Sequence, residues 1–221
     1  MQTYDCDLGA CSIHVCDTSS IDVKGLERRV AKARDASAGV PVIDLSVAPG
    51  ERAAWDRSRA TVYLWAIFEL LFVTNPWQIS SKIRVGVLRM FGATIGKDVI
   101  FRPRTRVKFP WKLILGNGVW IGEGVWIHNQ DQVVVGDNAV ISQDTFLSTG
   151  SHAHRKDMAL ITRPIVIGRG AWITARCIVL GGSDIGTSAL VTPGSVVSGS
   201  IPPNEIWGQP SAAFLGKRFP L

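Results

Sequence analysis

Branched apolar residues recur at every sixth position over much of the segment between residues 95 and 197, and a small residue follows four places after many of them. The clearest units are Ile95-Gly-Lys-Asp-Val99, Ile121-Gly-Glu-Gly-Val125, Val135-Gly-Asp-Asn-Ala139, Ile167-Gly-Arg-Gly-Ala171 and Ile185-Gly-Thr-Ser-Ala189. A short fixed period is the signature of a repeat architecture, and a period of six indicates a parallel β-helix.

The register of this repeat divides the segment into coils of three hexads. Hexads open at 95, 101 and 107; at 115, 121 and 127; at 135, 141 and 147; at 167, 173 and 179; and at 185, 191 and 197. The first two steps between coils are slightly longer than three hexads, and the last step equals three hexads. The step from 135 to 167 is far longer, and its surplus has no coil position. The sequence therefore predicts one extruded loop within residues 151–164.

Each hexad is expected to form a short strand whose opening residue points into a triangular prism. A single coil cannot bury its apolar face, so stability comes from contacts between stacked coils. The glycine after the opening residue, as in Gly96, Gly122 and Gly168, suits a crowded position near a corner. A β-sandwich has no reason to keep a six-residue phase over five coils. The sequence therefore predicts an all-β fold, a parallel β-helix over residues 95–200.

The remaining residues are expected to form an N-terminal arm, partly mobile, over residues 1–60 and a C-terminal tail over residues 201–221. In the arm, Cys6, Cys11, His14 and Cys16 are numerous enough to bind zinc. They lack the paired Cys-x2-Cys spacing, and their flanks are acidic and rich in serine. A mobile arm is the favoured interpretation.

Residues 61–94 are predicted to be helical. An apolar run at 60–73 precedes a basic amphipathic run at 79–91. The first run is too short to span a bilayer, which needs about 20 apolar residues. Two roles stay open: a cap over the exposed end of the prism, or an anchor at a membrane surface, because apolar faces beside cations suit such surfaces.

Charge and composition narrow the class of partner. The net charge of +6 and the pI of about 9.4 favour an anionic partner, such as a phosphorylated cofactor, a lipid-linked sugar or a membrane surface. The basic residues are scattered and no nucleic-acid-binding motif accompanies them, so nucleic acid is not expected. The first residues lack the features of a secretory signal, and four cysteines are few. A cytoplasmic protein is expected, with the inner face of the plasma membrane as the surface for peripheral contact.

The repeat, the histidine at the start of the loop and the exit segment together resemble the hexapeptide-repeat acyltransferases. The resemblance is to the O-acetyltransferases of exopolysaccharide assembly, of the colanic-acid-biosynthesis type, and it covers roughly residues 60–218. Its most specific motif is the Thr-Gly-Ser-His run beside the loop. The matching motifs are Leu88-Arg-Met-Phe-Gly-Ala-Thr-Ile-Gly96, Pro110-Trp-Lys-Leu113, Val140-Ile-Ser-Gln143, Ser148-Thr-Gly-Ser-His152, Pro164-Ile-Val-Ile-Gly168 and Gly208-Gln-Pro210.

The resemblance implies a left-handed β-helix, a homotrimer, and acetyl-CoA lying in the crevice between two prisms, with no metal. It also implies a histidine general base, which by position is His152. The chemistry agrees, because a sugar hydroxyl is a weak nucleophile until its proton is removed, and an imidazole suits that task near neutral pH. His154 in the same loop is interpreted as a rim residue. No orienting carboxylate can be named; Asp144 and Asp157 are candidates.

The resemblance assigns further residues to the site. Asn129 is placed at the acceptor, although asparagine is also common at turns and a corner-satisfying role stays open. Gly181-Gly182 departs from the Pro-Gly that is usual in the family, and the terminal basic pair sits slightly late. The residues implied for CoA are Ala175, Gly182, Pro193 and Ser198 along the pantetheine arm and Lys217 and Arg218 at the phosphates.

These features predict an O-acetyltransferase that moves an acetyl group from acetyl-CoA to a sugar hydroxyl by direct transfer. The acceptor is expected to be an exopolysaccharide or a lipid-linked oligosaccharide precursor. N-acylation of an amino sugar, or use of another acyl-CoA, is the alternative. A zinc enzyme on the same prism would need three converging histidines, and the spacing of His128, His152 and His154 does not match that family.

Overall fold

The repeat lies in the second of two compact units, Met1–Val42 and Ile43–Leu221. The structure is a computed structural model that describes residues 40–209 and isolated positions between 22 and 29. The cysteines at 6, 11 and 16 lie outside the described residues, as do Lys217 and Arg218. What the sequence predicts for them stays a prediction.

Three parallel sheets form the faces of a triangular prism. Neighbouring strands in each sheet come from successive coils. Sheet A contains β1 (Thr94–Ile95), β4 (Leu113–Leu115), β7 (Val133–Val135), β12 (Ile165–Ile167), β15 (Asp184–Ile185) and β18 (Ser200–Ile201). Sheet B contains β2 (Ile100–Phe101), β5 (Trp120–Ile121), β8 (Val140–Ile141), β13 (Trp172–Ile173), β16 (Leu190–Val191) and β19 (Ile206–Trp207). Sheet C contains β3 (Arg106–Val107), β6 (Trp126–His128), β9 (Phe146–Ser148), β14 (Ile178–Leu180) and β17 (Val196–Val197).

The predicted register is confirmed. Ile95 pairs with Leu115, and Leu115 pairs with Val135, which are the first two predicted steps between coils. Val135 pairs with Ile167 across the long step, and Ile167 pairs with Ile185 across the step of three hexads. Every predicted hexad opening is at most 8% exposed, so the openings form one continuous core along the prism.

Two strands extend the prism beyond the end predicted at residue 200. β18 pairs with β15 and β19 pairs with β16, which makes a sixth, partial coil. Ile201 opens this coil and is buried, but its distance along the chain from Ile185 is shorter than three hexads. Because this step is shorter than three hexads, the repeat pattern does not predict the sixth coil. The predicted fold class, a left-handed parallel β-helix with a helical N-terminal segment and an extruded loop, is confirmed.

Glycines after the hexad openings let successive coils approach closely, as predicted. A Cβ added at Gly96 would lie 2.6 Å from the carbonyl oxygen of Gly116, and one at Gly168 would lie 2.6 Å from the backbone nitrogen of Thr187. Backbone strain falls on a different position, two residues later, where Asp98 has a φ of 56°. Crowding and left-handed backbone therefore occupy separate positions of each corner.

Helices precede the first coil. Helix α1 (Arg59–Phe68) begins after Ser58, whose hydroxyl accepts a hydrogen bond from the Thr61 N–H. It continues into a π-helical turn, Glu69–Val73, and helix α2 (Ser81–Met90) follows. Short 3₁₀ helices span Leu45–Val47, Glu51–Ala54 and Pro110–Lys112.

The helical segment hydrogen-bonds to the open edge of the first coil. The Glu69 carboxylate accepts from the Val107 N–H at 2.7 Å, and the Trp65 indole donates to the Val107 carbonyl at 2.9 Å. The Phe101 N–H donates to the Ser81 hydroxyl at 2.8 Å. Backbone groups that lack a preceding coil thus find side-chain partners, and the sheet edges are covered. These contacts fit the capping role that the sequence left open.

The surplus residues of the long step form an antiparallel hairpin. Strand β10 (Gly150–His152) pairs with β11 (Leu160–Thr162), so that Gly150 lies opposite Thr162 and His152 lies opposite Leu160. The extruded loop predicted from the repeat therefore has its own backbone ladder, which restricts its conformations.

Glu69→Gln is expected to remove a pH-dependent contribution to stability. Burial raises the pKa of the Glu69 carboxyl above the reference value of 4.5. Its favourable contribution is therefore fully present below the unfolded-state pKa and is lost as the pH rises through the folded-state pKa. Glutamine keeps an oxygen for the Val107 N–H and carries no charge. We expect the variant to be at least as stable as the wild type at neutral pH, with a free energy of unfolding that depends less on pH.

Urea unfolding of both proteins between about pH 4 and pH 7 measures this difference. Glu123→Gln is the matched control, because this exposed carboxylate pairs with Arg104 at the surface. A loss of more than about 1 kcal/mol in Glu69→Gln at neutral pH would show that the charged form is required.

Candidate active site

A cavity of about 470 Å³ lies between the hairpin and the outer face of sheet C. Ser151, His152 and His154 line it from the hairpin, and Leu180 and Ser198 line it from the sheet. The extra residues that the prism cannot accommodate therefore form one wall of a cavity whose other wall is the regular repeat.

A backbone carbonyl holds one ring nitrogen of His152. The Nδ1 atom lies 2.8 Å from the carbonyl oxygen of Met158 across the hairpin turn. A carbonyl oxygen can only accept, so Nδ1 carries the hydrogen, and Nε2 of the neutral ring keeps its lone pair. Because the side chain is exposed, Nε2 is available to take a proton from a hydroxyl group in the cavity.

The turn that carries Met158 is fixed by its own hydrogen bonds. The Ala153 N–H donates to the Ala159 carbonyl at 2.9 Å, and the Met158 N–H donates to the Ala153 carbonyl at 3.2 Å. Met158 has a φ of 57°, which is uncommon for a residue other than glycine. The Asp157 carboxylate accepts from the Ala159 N–H at 3.0 Å. The turn itself thus places the carbonyl that orients His152.

Neither acidic candidate orients the ring. Asp157 belongs to the turn, and Asp144 lies at a corner of the prism beside Arg176, with 3.8 Å between their charged atoms. From the sequence, only side chains can be named as candidates, and these two carry carboxylates. A backbone carbonyl leaves no side-chain signal, so the actual partner could not be named.

The root of the hairpin is tied to the prism. The Arg163 N–H donates to the Thr149 carbonyl at 2.9 Å where the chain leaves and rejoins the coils. The buried Thr149 hydroxyl accepts from the Asp131 N–H at 2.8 Å. A Cβ added at Gly181 would lie 2.7 Å from the Thr149 carbonyl oxygen, so the missing side chain lets β14 end close beneath the root.

His154 also faces the cavity but lacks this constraint. Its backbone N–H donates to the His152 carbonyl at 2.7 Å. Within residues 40–209, its ring takes part in no hydrogen bond. The fixed ring is that of His152, and the ranking of this residue above His154 as the base stays a prediction.

Asn129 is fully buried. Its Oδ1 accepts from the Phe109 N–H at 3.0 Å, and its Nδ2 donates to the Phe109 carbonyl at 2.7 Å. Both ends of the amide are therefore engaged within the prism. Of the two roles that the sequence left open, this geometry favours the corner-satisfying one and gives no support to contact with an acceptor.

The residues expected at CoA fall at two corners of sheet C. Ala175 and Pro193 precede β14 and β17 and stack at one corner, where the Gly194 N–H donates to the Ala175 carbonyl at 3.0 Å. Gly182 and Ser198 follow the same strands at the opposite corner. A single chain brings Ser198 to the cavity and leaves Ala175 and Pro193 at the far end of the strands.

A second cavity, of about 420 Å³, also contains Ser198 in its wall and continues towards the partial sixth coil. None of the described residues that line it is charged. The first cavity differs, because Arg155, Lys156 and Arg163 line it. Sequence reasoning missed these three cations. All three lie in the long insertion of the repeat, and this concentration of basic residues could have indicated a binding site.

His128 lies on the outer face of sheet C, opposite Ser148. Burial, and then the charge of Lys108, lower the pKa of its imidazole, so the neutral form is favoured. Among the residues that the structure describes, no three His, Cys, Asp or Glu side chains are arranged to hold a metal ion. Within one chain, His128 is therefore not grouped with His152 and His154.

Comparison with known proteins identifies relatives of similar sequence and fold. No protein-family model matches the chain. It is 38% identical over 143 residues to a protein of Escherichia coli named as a colanic acid biosynthesis acetyltransferase, and the alignment covers 64% of this chain and 78% of that protein. Galactoside O-acetyltransferase of the same organism is 28% identical over 137 residues, which is 60% of this chain and 66% of the relative. A hexapeptide-repeat acetyltransferase of Vibrio cholerae, solved in complex with acetyl-CoA, superposes with a TM-score of 0.62 at 22% identity, covering 71% of this chain and 86% of the other.

Proposed function

The chain belongs to the family of the colanic acid biosynthesis acetyltransferases, and we propose that it transfers an acetyl group from acetyl-CoA to a hydroxyl group of a saccharide. The names of the relatives support the reaction, since one is a galactoside O-acetyltransferase and a structural neighbour was solved with acetyl-CoA. The acceptor is an exopolysaccharide or a lipid-linked oligosaccharide precursor. The observation that carries the proposal is the His152 ring, oriented by the Met158 carbonyl at the wall of a cavity.

His152 acts as the general base. Its Nε2 takes the proton of the acceptor hydroxyl while the oxygen bonds to the thioester carbonyl carbon. The tetrahedral intermediate collapses with cleavage of the C–S bond, and the proton on Nε2 passes to the departing CoA sulfur. Backbone N–H groups of the cavity wall stabilise the oxyanion. The acetyl group passes directly to the acceptor, and no acyl-enzyme forms.

Met158 supports both halves of this cycle. Its carbonyl accepts from Nδ1–H when the ring is neutral, which presents the lone pair of Nε2 to the hydroxyl. The same oxygen stabilises the imidazolium after proton transfer, because the hydrogen bond strengthens when its donor becomes charged. The ring can therefore keep one orientation through both proton transfers.

CoA lies along the two cavities that meet at Ser198. The thioester reaches the cavity beneath the hairpin, and the pantetheine arm occupies the uncharged second cavity. This placement leads the phosphates away from His152 towards the partial sixth coil. Lys217 and Arg218 remain the predicted phosphate contacts.

Apolar rows on two outer faces support a homotrimer. Both rows contain large tryptophan side chains, and Trp120 is 55% exposed. Contiguous exposed apolar surface marks interfaces, and a contact between two different faces of identical chains forms a closed ring of three when each contact rotates the chain by a third of a turn. The row on sheet B is Ile100, Trp120, Val140, Trp172, Leu190 and Ile206, and the row on sheet C is Trp126, Phe146, Ile178 and Val196.

The trimer also resolves the distribution of the predicted CoA residues. Ala175 and Pro193 lie at the opposite end of the strands from Ser198 within one chain. In a ring, the corner that carries Ala175 and Pro193 in one protomer faces the cavity that carries Ser198 in the next. One CoA site then takes residues from two protomers.

The helical segment bears a further apolar surface, here called the helical apolar patch. Trp77 and Ile79 are its most exposed members, at 89% and 85%. Exposed Arg59 and Lys82 lie in the same segment. We propose that this patch holds the enzyme on anionic lipid at the cytoplasmic face of the membrane, since amphipathic helices with flanking cations bind such surfaces. No helix in the described part of the chain is long and apolar enough to cross a membrane. The patch consists of Tyr63, Leu64, Ile67, Leu70, Leu71, Trp77, Ile79, Ile83 and Met90.

His152→Ala is expected to lower kcat by roughly 10²- to 10⁴-fold, the usual contribution of a general base, and to leave the KM for acetyl-CoA nearly unchanged. Turnover is measured against a panel of soluble and lipid-linked saccharides that includes amino sugars, with other acyl-CoA donors alongside. His154→Ala is the matched control and should keep most of the activity. Normal turnover by His152→Ala would refute the base assignment, and inactivity of the wild type on the whole panel would refute the function.

Sedimentation equilibrium is expected to give three times the chain mass of 24.0 kDa. Trp172→Asp places a charge in the sheet B row and should shift the protein to smaller species with loss of activity. Trp77→Asp, at an equally large exposed side chain outside both rows, should leave the mass unchanged. A monomeric wild type that is fully active would contradict the shared site.

Flotation with anionic phospholipid vesicles is expected to recover the wild-type protein, and less of it as the salt concentration rises. Trp77→Asp should weaken binding because it puts a charge into the helical apolar patch. Trp172→Asp serves as the control in this assay, and its binding per chain should be less affected. Equal recovery of wild type and Trp77→Asp would show that the patch does not contact lipid.

A further inference from the structure

Three cations line the same cavity as His152. Arg155 and Lys156 lie in the hairpin turn, and Arg163 lies at the hairpin root; together they are called the loop cations. All three are exposed, and no carboxylate is found among the described residues that line this cavity. Within the described residues, none of the loop cations has a carboxylate oxygen within 4.0 Å. The ion pairs found among these residues involve other side chains.

The fold does not account for the charge of the loop cations. Backbone pairing between β10 and β11 holds the hairpin, and the hydrogen bonds of its turn involve Ala153, Met158 and Ala159. At the root, it is the Arg163 N–H, not its guanidinium, that donates to Thr149. Like charges gathered at one site repel each other, so this arrangement costs stability unless an anion is bound.

Arg163 has a defined place in the cavity wall. A Cβ added at Gly182 would lie 3.2 Å from Cδ of Arg163, so the arginine stem passes over this glycine. Gly182 also has a φ of 90°, which suits glycine. Gly182 thus makes room for the Arg163 side chain. This role is separate from the one in CoA binding that the resemblance implies for Gly182.

The phosphates of CoA are a poor match for the loop cations. The thioester must reach His152, and the phosphates lie at the far end of the pantetheine arm. Among the residues that the structure describes, none in the wall of the second cavity, which continues from Ser198, is charged. Within the described part of the chain, the positive charge of the two cavities is therefore concentrated at the reacting end, where the acceptor must lie.

We infer that the loop cations bind an oxyanion carried by the acceptor saccharide, either the carboxylate of a uronic acid or the phosphate of a glycosyl phosphate. The inference rests on the proposed function, because the acceptor must reach Nε2 of His152. Two guanidinium groups and an ammonium supply the charge-assisted hydrogen bonds that such oxyanions accept. The anion fixes the saccharide so that one hydroxyl meets the base.

The experiment compares acceptors that differ only in charge. One arm uses methyl glycosides of uronic acids as free carboxylates and as their neutral methyl esters. The other arm uses glycosyl phosphates and the corresponding neutral methyl glycosides. The wild type is expected to show a kcat/KM about tenfold or more higher for the anionic member of a matching pair, and the advantage should shrink with added salt.

Two variants test whether the loop cations read the charge. Arg155→Gln/Lys156→Gln and, separately, Arg163→Gln should raise the KM for the anionic acceptor about tenfold, with little change for the neutral acceptor or for acetyl-CoA. Arg169→Gln is the matched control, because it removes an exposed cation at a corner away from the cavity. Its KM values should stay at those of the wild type.

Each outcome decides a different point. An advantage for one arm identifies the carboxylate or the phosphate as the group bound. Equal kcat/KM for charged and neutral acceptors, or variants that match Arg169→Gln, overturns the inference and leaves the proposed function standing. A rise in the KM for acetyl-CoA alone assigns the loop cations to the cofactor and also overturns it. Failure of the wild type to acetylate any acceptor overturns the proposed function and this inference with it.

Discussion

The ladder of backbone hydrogen bonds between successive coils is the constraint on which the rest of this structure depends. Each coil adds a buried hexad opening to a continuous core, and each pairs in register with the coils before and after it. A shift of one residue in any strand would turn its apolar residues outwards. Extra residues therefore cannot be absorbed by sliding. Between Val135 and Ile167 they leave the prism as a hairpin.

The rigidity of the coils gives the hairpin its chemical use. Thr149 and Arg163 close the hairpin root against strands that cannot shift, so the turn is held at a fixed place above sheet C. Met158 then presents a carbonyl to His152, and the ring keeps one tautomer. A loop on a less rigid scaffold would need a second side chain to orient the ring. Here the backbone is sufficient because both ends of the loop are anchored to the repeat.

The fold was predictable because the same hexad pattern recurs along residues 95–197. Five coils repeat the same hexad pattern, so a single irregular hexad could not mislead, and the length of the step to Ile167 located the hairpin. The sixth coil was missed because one shortened step offers no repetition. The site was less predictable. His152 could be chosen from its motif, but the orienting group is a backbone carbonyl and the buried pairing of Asn129 with Phe109 depends on neighbouring coils. Those contacts are set by tertiary geometry, which a local pattern does not encode.

We propose that the extruded hairpin fixes the His152 imidazole with Nε2 free to act as a base. The ¹⁵N chemical shifts of the His152 ring, recorded where the imidazole is neutral, test it most directly. We expect a ring protonated at Nδ1 and unprotonated at Nε2, with Nδ1–H in a hydrogen bond. A ring protonated at Nε2, or a rapid average of both tautomers as in a free side chain, would contradict it.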